Sequence, residues 1–174
     1  MATVTSKVCV VGDFAVGKTS VVERFINNQF SDKYLTTVGV KVDTKLIDHQ
    51  NPPITHKLVL WDVAGSDRFG HAEFAYLRGA SGYIFVVDGT RSMTLRSVHN
   101  LREQITEKYG AAPCVLLVNK KDLTSQWEVG EKQMLDLVEQ YCNVYTTSAK
   151  TGEDVEDALQ RLAELVIAND LKSE

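Results

Sequence analysis

One loop constrains the fold of this chain more than any other stretch. Residues 12–19 read Gly-Asp-Phe-Ala-Val-Gly-Lys-Thr and match the pattern G-x-x-x-x-G-K-[ST]. The apolar run Lys7 to Val11 before it predicts a buried strand, and the sequence after it predicts an amphipathic helix with Val21, Val22, Phe25 and Ile26 on one face. The glycines let successive N–H groups face one anion, and the helix points its positive dipole end at the same place. We therefore expect a phosphate-binding loop; the alternative is a glycine-rich turn with a solvated lysine.

The same loop supplies a cation and a hydroxyl group. Lys18 can place its charge on the outer phosphates of a nucleotide, and Thr19 can offer its hydroxyl oxygen to Mg²⁺. The candidate nucleotide-binding residues of this stretch are Gly12, Asp13, Ala15, Val16, Gly17, Lys18, Thr19 and Ser20. The loop alone does not distinguish an ATP-dependent small-molecule kinase from a GTP-dependent switch.

Strand and helix patterns alternate along the rest of the chain and predict an α/β fold. The further predicted strands are residues 38–47, 57–61, 83–87, 113–118 and 144–147. The first two of these form a hairpin whose loop, 48–53, is longer than the tightest type. The helical faces are Leu95, Val98, Leu101, Ile105 and Tyr109; Met134, Leu135, Val138 and Tyr141; and Val155, Leu159, Leu162, Leu165 and Val166. Thr151 and Asp154 resemble a capping box before the last helix.

Composition and charge narrow the class of protein. The chain has 174 residues, so we expect one domain over 1–174, and its net charge of −4 gives no basic field for nucleic acid. We also expect a monomer. Its apolar runs are far shorter than the roughly 18 residues that span a bilayer. Cys9, Cys114 and Cys142 are scattered, which favours reduced thiols over zinc ligands or disulfides. With no apolar signal region, and Ala2 where myristoylation requires glycine, we expect a cytoplasmic protein.

A polar motif after a predicted strand indicates which base is bound. Asn119-Lys120-Lys121-Asp122 follows residues 113–118. The Asp122 carboxylate can accept hydrogen bonds from two donors, which guanine offers at N1 and N2 and adenine does not. Ser148-Ala149-Lys150, after the next strand, can complete the pocket. The alternative for residues 119–122 is an ordinary polar turn.

A second strand end indicates where a metal is bound. Asp62 follows the predicted strand over 57–61, and a carboxylate there can hold Mg²⁺ through water. Gly65 allows its backbone N–H to approach a terminal phosphate closely. The ligand edge of the sheet is therefore expected to carry both a phosphate loop and a magnesium site.

Together these motifs resemble a small GTPase of the Ras superfamily over nearly the whole chain. The stretches that carry the likeness are residues 12–19, 37–39, 61–65, 119–122 and 148–150, with 38–40, 68–69 and 76–80 resembling marks of the Rab group. The resemblance implies a G domain with a six-stranded, mostly parallel sheet, one antiparallel strand and five helices. It implies binding of GTP, GDP and Mg²⁺, slow GTP hydrolysis, and two segments whose order depends on the γ-phosphate. These are switch I, about 31–40, and switch II, about 64–76.

The resemblance also assigns roles at matching positions. The implied metal ligands are Thr19, Thr37 and Asp62, and the implied catalytic residues are Lys18, Thr37, Gly65 and Ser66. Phe30 would stack on guanine, the alternative being a core aromatic residue, and Asn119 and Asp122 would read the base. Val42, Trp61 and Tyr76 stand where Rab proteins carry an aromatic trio that helps contact effectors, so one aromatic has become valine. The switches would also contact an exchange factor and a GTPase activator.

Further features of the sequence differ from the usual family pattern. Most Ras and Rab members carry a glutamine that orients the attacking water where this chain has Ser66, so we expect weak hydrolysis; Asp67 and His71 are alternative residues for that role. Phe14, beside the γ-phosphate, is bulky enough to hinder an arginine finger. The chain ends at Ser173-Glu174 without the prenylated cysteines usual in Rabs. We expect a cytoplasmic protein, peripheral on membranes where a lipidated tail follows, with attachment left unassigned.

The sequence thus predicts a Rab-like guanine-nucleotide switch that slowly hydrolyses GTP and regulates effectors in membrane trafficking. The first alternative is a GTP-binding module that holds its nucleotide without hydrolysis, for which Ser66 is the support. The second is an ATP-dependent kinase, which predicts adenine preference and a lid over the acceptor substrate. The motif over 119–122 and the lack of lid insertions argue against the kinase.

Overall fold

The computed structural model describes residues 2–31, 39–64, 74–141 and 143–172. Its strands are β1 (Ala2–Val11), β2 (Val40–Gln50), β3 (Pro53–Val63), β4 (Gly82–Asp88), β5 (Cys114–Asn119) and β6 (Val144–Thr146). Its α-helices are α1 (Lys18–Asn27), α2 (Met93–Tyr109), α3 (Glu131–Tyr141) and α4 (Val155–Lys172). A 3-10 helix covers Lys121–Gln126, and Phe74 and Ala75 are also helical.

The six strands form one sheet in the order β2-β3-β1-β4-β5-β6. β2 and β3 pair antiparallel, and every other neighbouring pair is parallel. The predicted sheet, mostly parallel with one antiparallel strand and flanked by helices, is confirmed. Since parallel strands end at the same edge of a sheet, the segments after β1, β3, β4, β5 and β6 lie close together.

Alternate strand residues fill two core layers, one on each face of the sheet. Val8 and Val10 of β1 pack in the layer covered by α1 and α4. Cys9 and Val11 point the other way, into the layer covered by α2 and α3. Every residue of β4 is buried, as expected for a strand covered on both faces. The sheet therefore holds its ligand edge between two packed helical layers.

The hairpin is tighter than the sequence suggested. β2 continues to Gln50 and β3 begins at Pro53, so Asn51 and Pro52 alone connect the strands in place of a loop over 48–53. The cluster of turn-forming residues over 48–53 predicts that Asp48 lies in that loop. In the structure it lies in the ladder, where its Oδ1 accepts a hydrogen bond from the Thr55 hydroxyl at 3.1 Å. At an edge strand, polar side chains face water without ending the strand.

The buried face of α3 also differs from the prediction. Leu135 and Val138 are 69% and 48% exposed, whereas Leu137 and Tyr141 are buried. Periodicity placed four apolar residues on one face, although α3 presents only a narrow stripe to the sheet. Which of two overlapping apolar stripes packs inward depends on how the helix is rotated on its neighbours.

The predicted capping box before the last helix is wrong. α4 begins at Val155, so Asp154 precedes its first residue and has a left-handed φ of 58°. The Thr151 hydroxyl instead accepts a 3.3 Å hydrogen bond from the N–H of Glu153, two residues later. Thr151 therefore shapes the preceding turn and does not cap the helix.

Of the cysteines described, Cys9 is buried, Cys114 is half-buried, and neither is in a disulfide. Burial raises the pKa of the Cys9 thiol to about 12, so it stays protonated and unreactive. Cys142 lies outside the described residues. None of the helices in the described ranges has the length and hydropathy of a membrane span.

His56, on β3, makes the folded state sensitive to acid. It is fully buried; its Nδ1 lies 3.1 Å from Nε2 of His49 and its Nε2 lies 2.8 Å from the hydroxyl of Ser6. Burial, reinforced by His49, lowers the pKa of His56 to about 4. An unfolded histidine titrates near pH 6.5. As the pH falls from 6.5 to 4, the unfolded chain therefore binds a proton that the folded chain does not, and stability is lost.

We expect this histidine to remove about 2–3 kcal/mol from the free energy of unfolding between pH 6.5 and pH 4. His56→Gln keeps a hydrogen-bonding group beside Ser6 and should abolish most of that loss, as measured by urea denaturation across the pH range. Burial and Arg102 also lower the pKa of His99, so His99→Gln serves as the control and should keep most of the slope. Identical pH profiles for wild type and His56→Gln would show that another group is responsible.

Candidate functional site

The loop after β1 forms a cradle with no room for side chains at its two glycines. Gly12 and Gly17 have φ values of 154° and 103°, which non-glycine residues rarely adopt. A Cβ on Gly12 would lie 2.2 Å from the carbonyl oxygen of Val86, and one on Gly17 would lie 2.4 Å from Nδ2 of Asn119. The loop is therefore packed against the ends of β4 and β5, where backbone N–H groups can surround an anion.

Lys18, the first residue of α1, places its ammonium group inside the cradle. Its Nζ donates to the carbonyl oxygens of Gly12 at 3.0 Å and Asp13 at 2.9 Å, and the residue is 6% exposed. Burial lowers the pKa of Lys18 to about 8, against the opposing effect of Asp62 and Asp13. This poorly solvated charge would gain much from a phosphate partner.

Thr19 and Asp62 supply oxygen atoms of the kind that Mg²⁺ prefers as ligands. The Thr19 hydroxyl donates to Oδ2 of Asp62, which is fully buried near the end of β3. Within the described ranges, no group of three His, Cys, Asp or Glu side chains could hold a metal by itself. One hydroxyl and one carboxylate fit Mg²⁺, which keeps several waters and takes phosphate oxygens as further ligands.

Asn119, at the end of β5, ties the phosphate loop to the segment after β6. Its Nδ2 donates to the carbonyl oxygen of Val16 at 3.0 Å. Its Oδ1 accepts from the hydroxyl of Thr147 at 3.1 Å and from the N–H of Ala149 at 3.3 Å. These contacts use both acceptor positions of Oδ1 and one of the two Nδ2 hydrogens, so Asn119 sets the geometry of the pocket by holding three segments together.

Asp122 and Ser148 bring the two polar motifs together. The Ser148 hydroxyl donates to Oδ1 of Asp122 at 2.8 Å, while Ser148 itself is fully buried. Asp122 is exposed, with capacity for further donors on its carboxylate. Arg24 of α1 holds the segment after Ser148 in place, because its guanidinium donates to the carbonyl oxygens of Ala149 at 2.9 Å and Lys150 at 2.6 Å.

Lys120 connects the motif after β5 to the phosphate loop through a buried carboxylate. Its Nζ lies 2.8 Å from Oδ2 of Asp88 and 3.0 Å from the carbonyl oxygen of Ala15. Arg91 repeats the pattern, with Nε 3.1 Å from Asp88 and Nη2 2.8 Å from the carbonyl oxygen of Phe14. Burial raises the pKa of Asp88, but the bonds from Lys120, Thr90 and Arg91 outweigh it and hold the pKa below its ordinary value.

Comparison with known proteins decides the family. The model of the Ras family matches residues 7–168, which covers the cradle, the buried Asp62 and both polar motifs. The chain belongs to the Ras family of small GTPases. Three similar proteins are Rab-27B of Bos taurus, 36% identical over 92% of this chain and 79% of its own length; Rab-32A of Dictyostelium discoideum, 35% over 95% and 80%; and Rab-13 of Canis lupus familiaris, 33% over 90% and 77%.

As a Rab-like small GTPase, the protein binds guanine nucleotides and works with protein regulators and effectors. GTP hydrolysis is the general activity of its family. The resemblance inferred from the sequence motifs is thus confirmed. Residues 12–19, 119–122 and 148–150, which carry much of that resemblance, lie along one edge of the sheet, at the ends of β1, β5 and β6.

Several predicted site residues are not placed by the structure. Thr37, Gly65 and Ser66 lie outside the described residues, as do the alternatives Asp67 and His71. Their roles in metal binding and hydrolysis stay predictions.

Two further predicted site residues of the GTPase lie in α1 and shortly after it. Ser20 is half-buried in the first turn of α1. Phe30 is half-buried and packs against the core layer beneath α1, as the core alternative requires. Its contact with guanine stays a prediction.

The proposed effector trio forms one continuous surface of the GTPase. Val42 stands opposite Trp61 in the β2–β3 ladder, and the ring centroids of Trp61 and Tyr76 are 6.4 Å apart. Val42 is 48% exposed. The Lys7 ammonium lies 3.8 Å from the Trp61 ring centroid, a cation–π contact that fixes the indole.

Sequence analysis missed three supporting residues of this GTPase site, Arg24, Asp88 and Arg91. Asp88 could have been predicted from the sequence as a site residue, because it is a carboxylate directly after a predicted buried strand. The two arginines had none, since each acts through carbonyl oxygens of residues far away in the sequence.

Proposed function

We propose that this protein is a Rab-like molecular switch that binds GTP with Mg²⁺, hydrolyses it slowly and regulates effectors in membrane trafficking. The observation that carries the proposal is the bond from Asn119 to the carbonyl oxygen of Val16, because it joins the base-reading motif to the phosphate loop. A nucleotide whose phosphates lie on the loop thereby has its base beside Asp122. The Rab names of the relatives support the trafficking role.

The residues of the proposed site would have different roles in nucleotide binding and hydrolysis. Lys18 would exchange its carbonyl partners for the outer phosphates, and the N–H groups of the cradle would hold the phosphate oxygens. Thr19 and Asp62, with Thr37, would hold Mg²⁺, which when bound neutralises phosphate charge during transfer of the γ-phosphoryl group to water. Asp122 would accept from N1 and N2 of guanine, while Ser148 orients its carboxylate.

A hydrogen bond between the residue before β2 and the residue after β3 supports coupling between the two proposed switch segments. The N–H of Ala64 donates to the carbonyl oxygen of Gly39 at 2.8 Å, so residues of segments 31–40 and 64–76 are hydrogen-bonded to each other. A γ-phosphate that orders one segment would therefore bias the other. Effectors, an exchange factor and an activator would bind this surface, which includes Val42, Trp61 and Tyr76. The proposal places the protein in the cytoplasm, as a monomer.

The identity of the co-purifying nucleotide tests this proposal. The protein should be purified with Mg²⁺ present, denatured, and its released nucleotide identified by mass. We expect GDP or GTP. GDP would favour an active switch and GTP the hydrolysis-deficient alternative, whereas adenine nucleotides would contradict both.

Ser66 leads to a prediction about rate. A serine side chain ends too soon to place a donor or acceptor where the family's glutamine amide orients water, so we expect Ser66→Gln to speed hydrolysis by about 10-fold or more. Single-turnover hydrolysis of preloaded GTP measures this directly. Ser125→Gln, on the exposed 3-10 helix, provides the same substitution as a control and should leave the rate unchanged. No gain with Ser66→Gln would show that another residue positions the water.

A further inference from the structure

Trp127 lies behind the base-reading motif and contacts two of the segments that form the site. Its indole Nε1 donates to the carbonyl oxygen of Lys120 at 2.8 Å. Its ring also covers Gly89, the residue after β4. A Cβ at Gly89 would come within 2.2 Å of the indole Cε2 and 2.4 Å of Cδ2, so only glycine leaves space for this ring.

Backbone hydrogen bonds around Gly89 fix the position of the indole. The N–H of Gly89 donates to the carbonyl oxygen of Asn119 at 3.1 Å. Its carbonyl oxygen accepts from the N–H groups of Glu128 at 2.9 Å and Val129 at 3.2 Å, directly after Trp127. The ring is half-buried and packs against the core layer under α2 and α3. Moving the indole would therefore disturb the ends of both β4 and β5.

Lys120 is the residue that needs this support. Its φ of 73° and ψ of 40° lie in the left-handed region, which non-glycine residues keep only where their surroundings hold them. Its carbonyl oxygen accepts from the N–H of Leu123 at 2.9 Å as well as from Trp127. Its ammonium group, at the other end, reaches Asp88 and the phosphate loop. A shift of the Lys120 backbone would displace Asn119 and Asp122 on either side of it.

We propose that Trp127 is a positioning residue for guanine recognition. By holding the Lys120 carbonyl beside Gly89, it keeps residues 119–122 in the shape that reads the base and so slows nucleotide release. The inference rests on the proposed function, because it concerns the same pocket. It extends that function to a side chain that need not touch the nucleotide.

Trp127→Phe tests the hydrogen bond, because it keeps an aromatic ring on Gly89 and removes the Nε1–H donor. Ribose-labelled fluorescent GDP and its inosine counterpart, which lacks the 2-amino group, are released into excess unlabelled GDP. One hydrogen bond of this kind changes an equilibrium by roughly three- to tenfold, and we expect GDP release to accelerate by that factor. Inosine nucleotide release should accelerate less, since part of the guanine contact with Asp122 is already missing.

Gly89→Ala tests the ring contact while leaving Trp127 in the chain. Its Cβ would push the indole away, so GDP release should accelerate as with Trp127→Phe. In a Trp127→Ala background the clash is absent, and Gly89→Ala should add no further acceleration. This non-additivity separates the contact from any other effect of an alanine at position 89.

Tyr141→Phe is the matched control, because it removes one side-chain hydrogen bond, 2.8 Å long, to His99 between α2 and α3. It should leave both release rates within twofold of wild type. A wild-type rate in Trp127→Phe, or equal acceleration for guanosine and inosine nucleotides, would overturn the role of Trp127. A wild-type protein that binds neither labelled nucleotide would instead overturn the proposed function.

Discussion

Replacing Asp122 with asparagine is expected to raise the dissociation constant for GDP by a factor on the order of 10²–10³. The carboxylate accepts from the Ser148 hydroxyl at 2.8 Å and has acceptor capacity for N1–H and N2–H of guanine. Asparagine turns one of these oxygens into an NH₂ donor, which then faces a donor on the base. Buried mismatches of this kind reach larger factors, but Asp122 is exposed until a base covers it, so we expect an intermediate loss.

The same substitution should improve binding of xanthosine diphosphate, because xanthine has a carbonyl oxygen at C2 that can accept from the new amide. Competition against fluorescent GDP gives both constants. Asp136→Asn, on the exposed side of α3, makes the same change away from the site and should alter neither. Tight GDP binding by Asp122→Asn would show that Asp122 does not read the base.

Lys18→Met is expected to have two effects of opposite sign. GDP binding should weaken by a factor on the order of 10²–10³, since the phosphates lose their charged partner inside the cradle. The nucleotide-free protein should become more stable, by about 2 kcal/mol at pH 7, because a buried ammonium is removed. Burial lowers the pKa of Lys18 to about 8, so its charge destabilises the nucleotide-free fold below that pH. The destabilisation is relieved as the pH rises from 8 towards the ordinary lysine value.

Urea denaturation without nucleotide measures the stability, and competition titration measures the affinity. Lys132→Met, on the exposed surface of α3, is the control for replacing any lysine with methionine and should change neither quantity appreciably. Loss of stability in nucleotide-free Lys18→Met would contradict a net cost of burying this charge, because the attraction of Asp62 and Asp13 would then outweigh the burial. Unchanged GDP affinity would remove Lys18 from the phosphate site.

The residues of the nucleotide site could be predicted from the sequence better than the residues that hold them in position. The phosphate loop could be predicted because its shape depends on local backbone freedom at Gly12 and Gly17. Asn119 and Ser148 could be placed together because both follow parallel strands, and such strands end at one edge. Residues that act through carbonyl oxygens far away in the sequence, such as Arg24 and Arg91, show no pattern before the chain is folded.

Errors in the fold arose where polarity or periodicity has two interpretations. A polar residue such as Asp48 fits either a turn or an edge strand, and the structure places it in the edge strand β2. Leu135 and Leu137 are both apolar on one helix, and only packing against the neighbouring elements decides that Leu137 is buried. The predicted class of sheet was not affected, since strands that are buried on both faces, above all β4, show a continuous apolar run in the sequence.

Competition between GDP and ADP tests the central claim most directly. Wild-type protein carrying fluorescent GDP in a magnesium-containing buffer is titrated with each unlabelled nucleotide. A pocket that reads guanine through Asp122 should require ADP at a concentration on the order of 10³-fold or more above GDP to displace half of the label. Displacement by GDP and ADP at similar concentrations would contradict the assignment of this site to guanine.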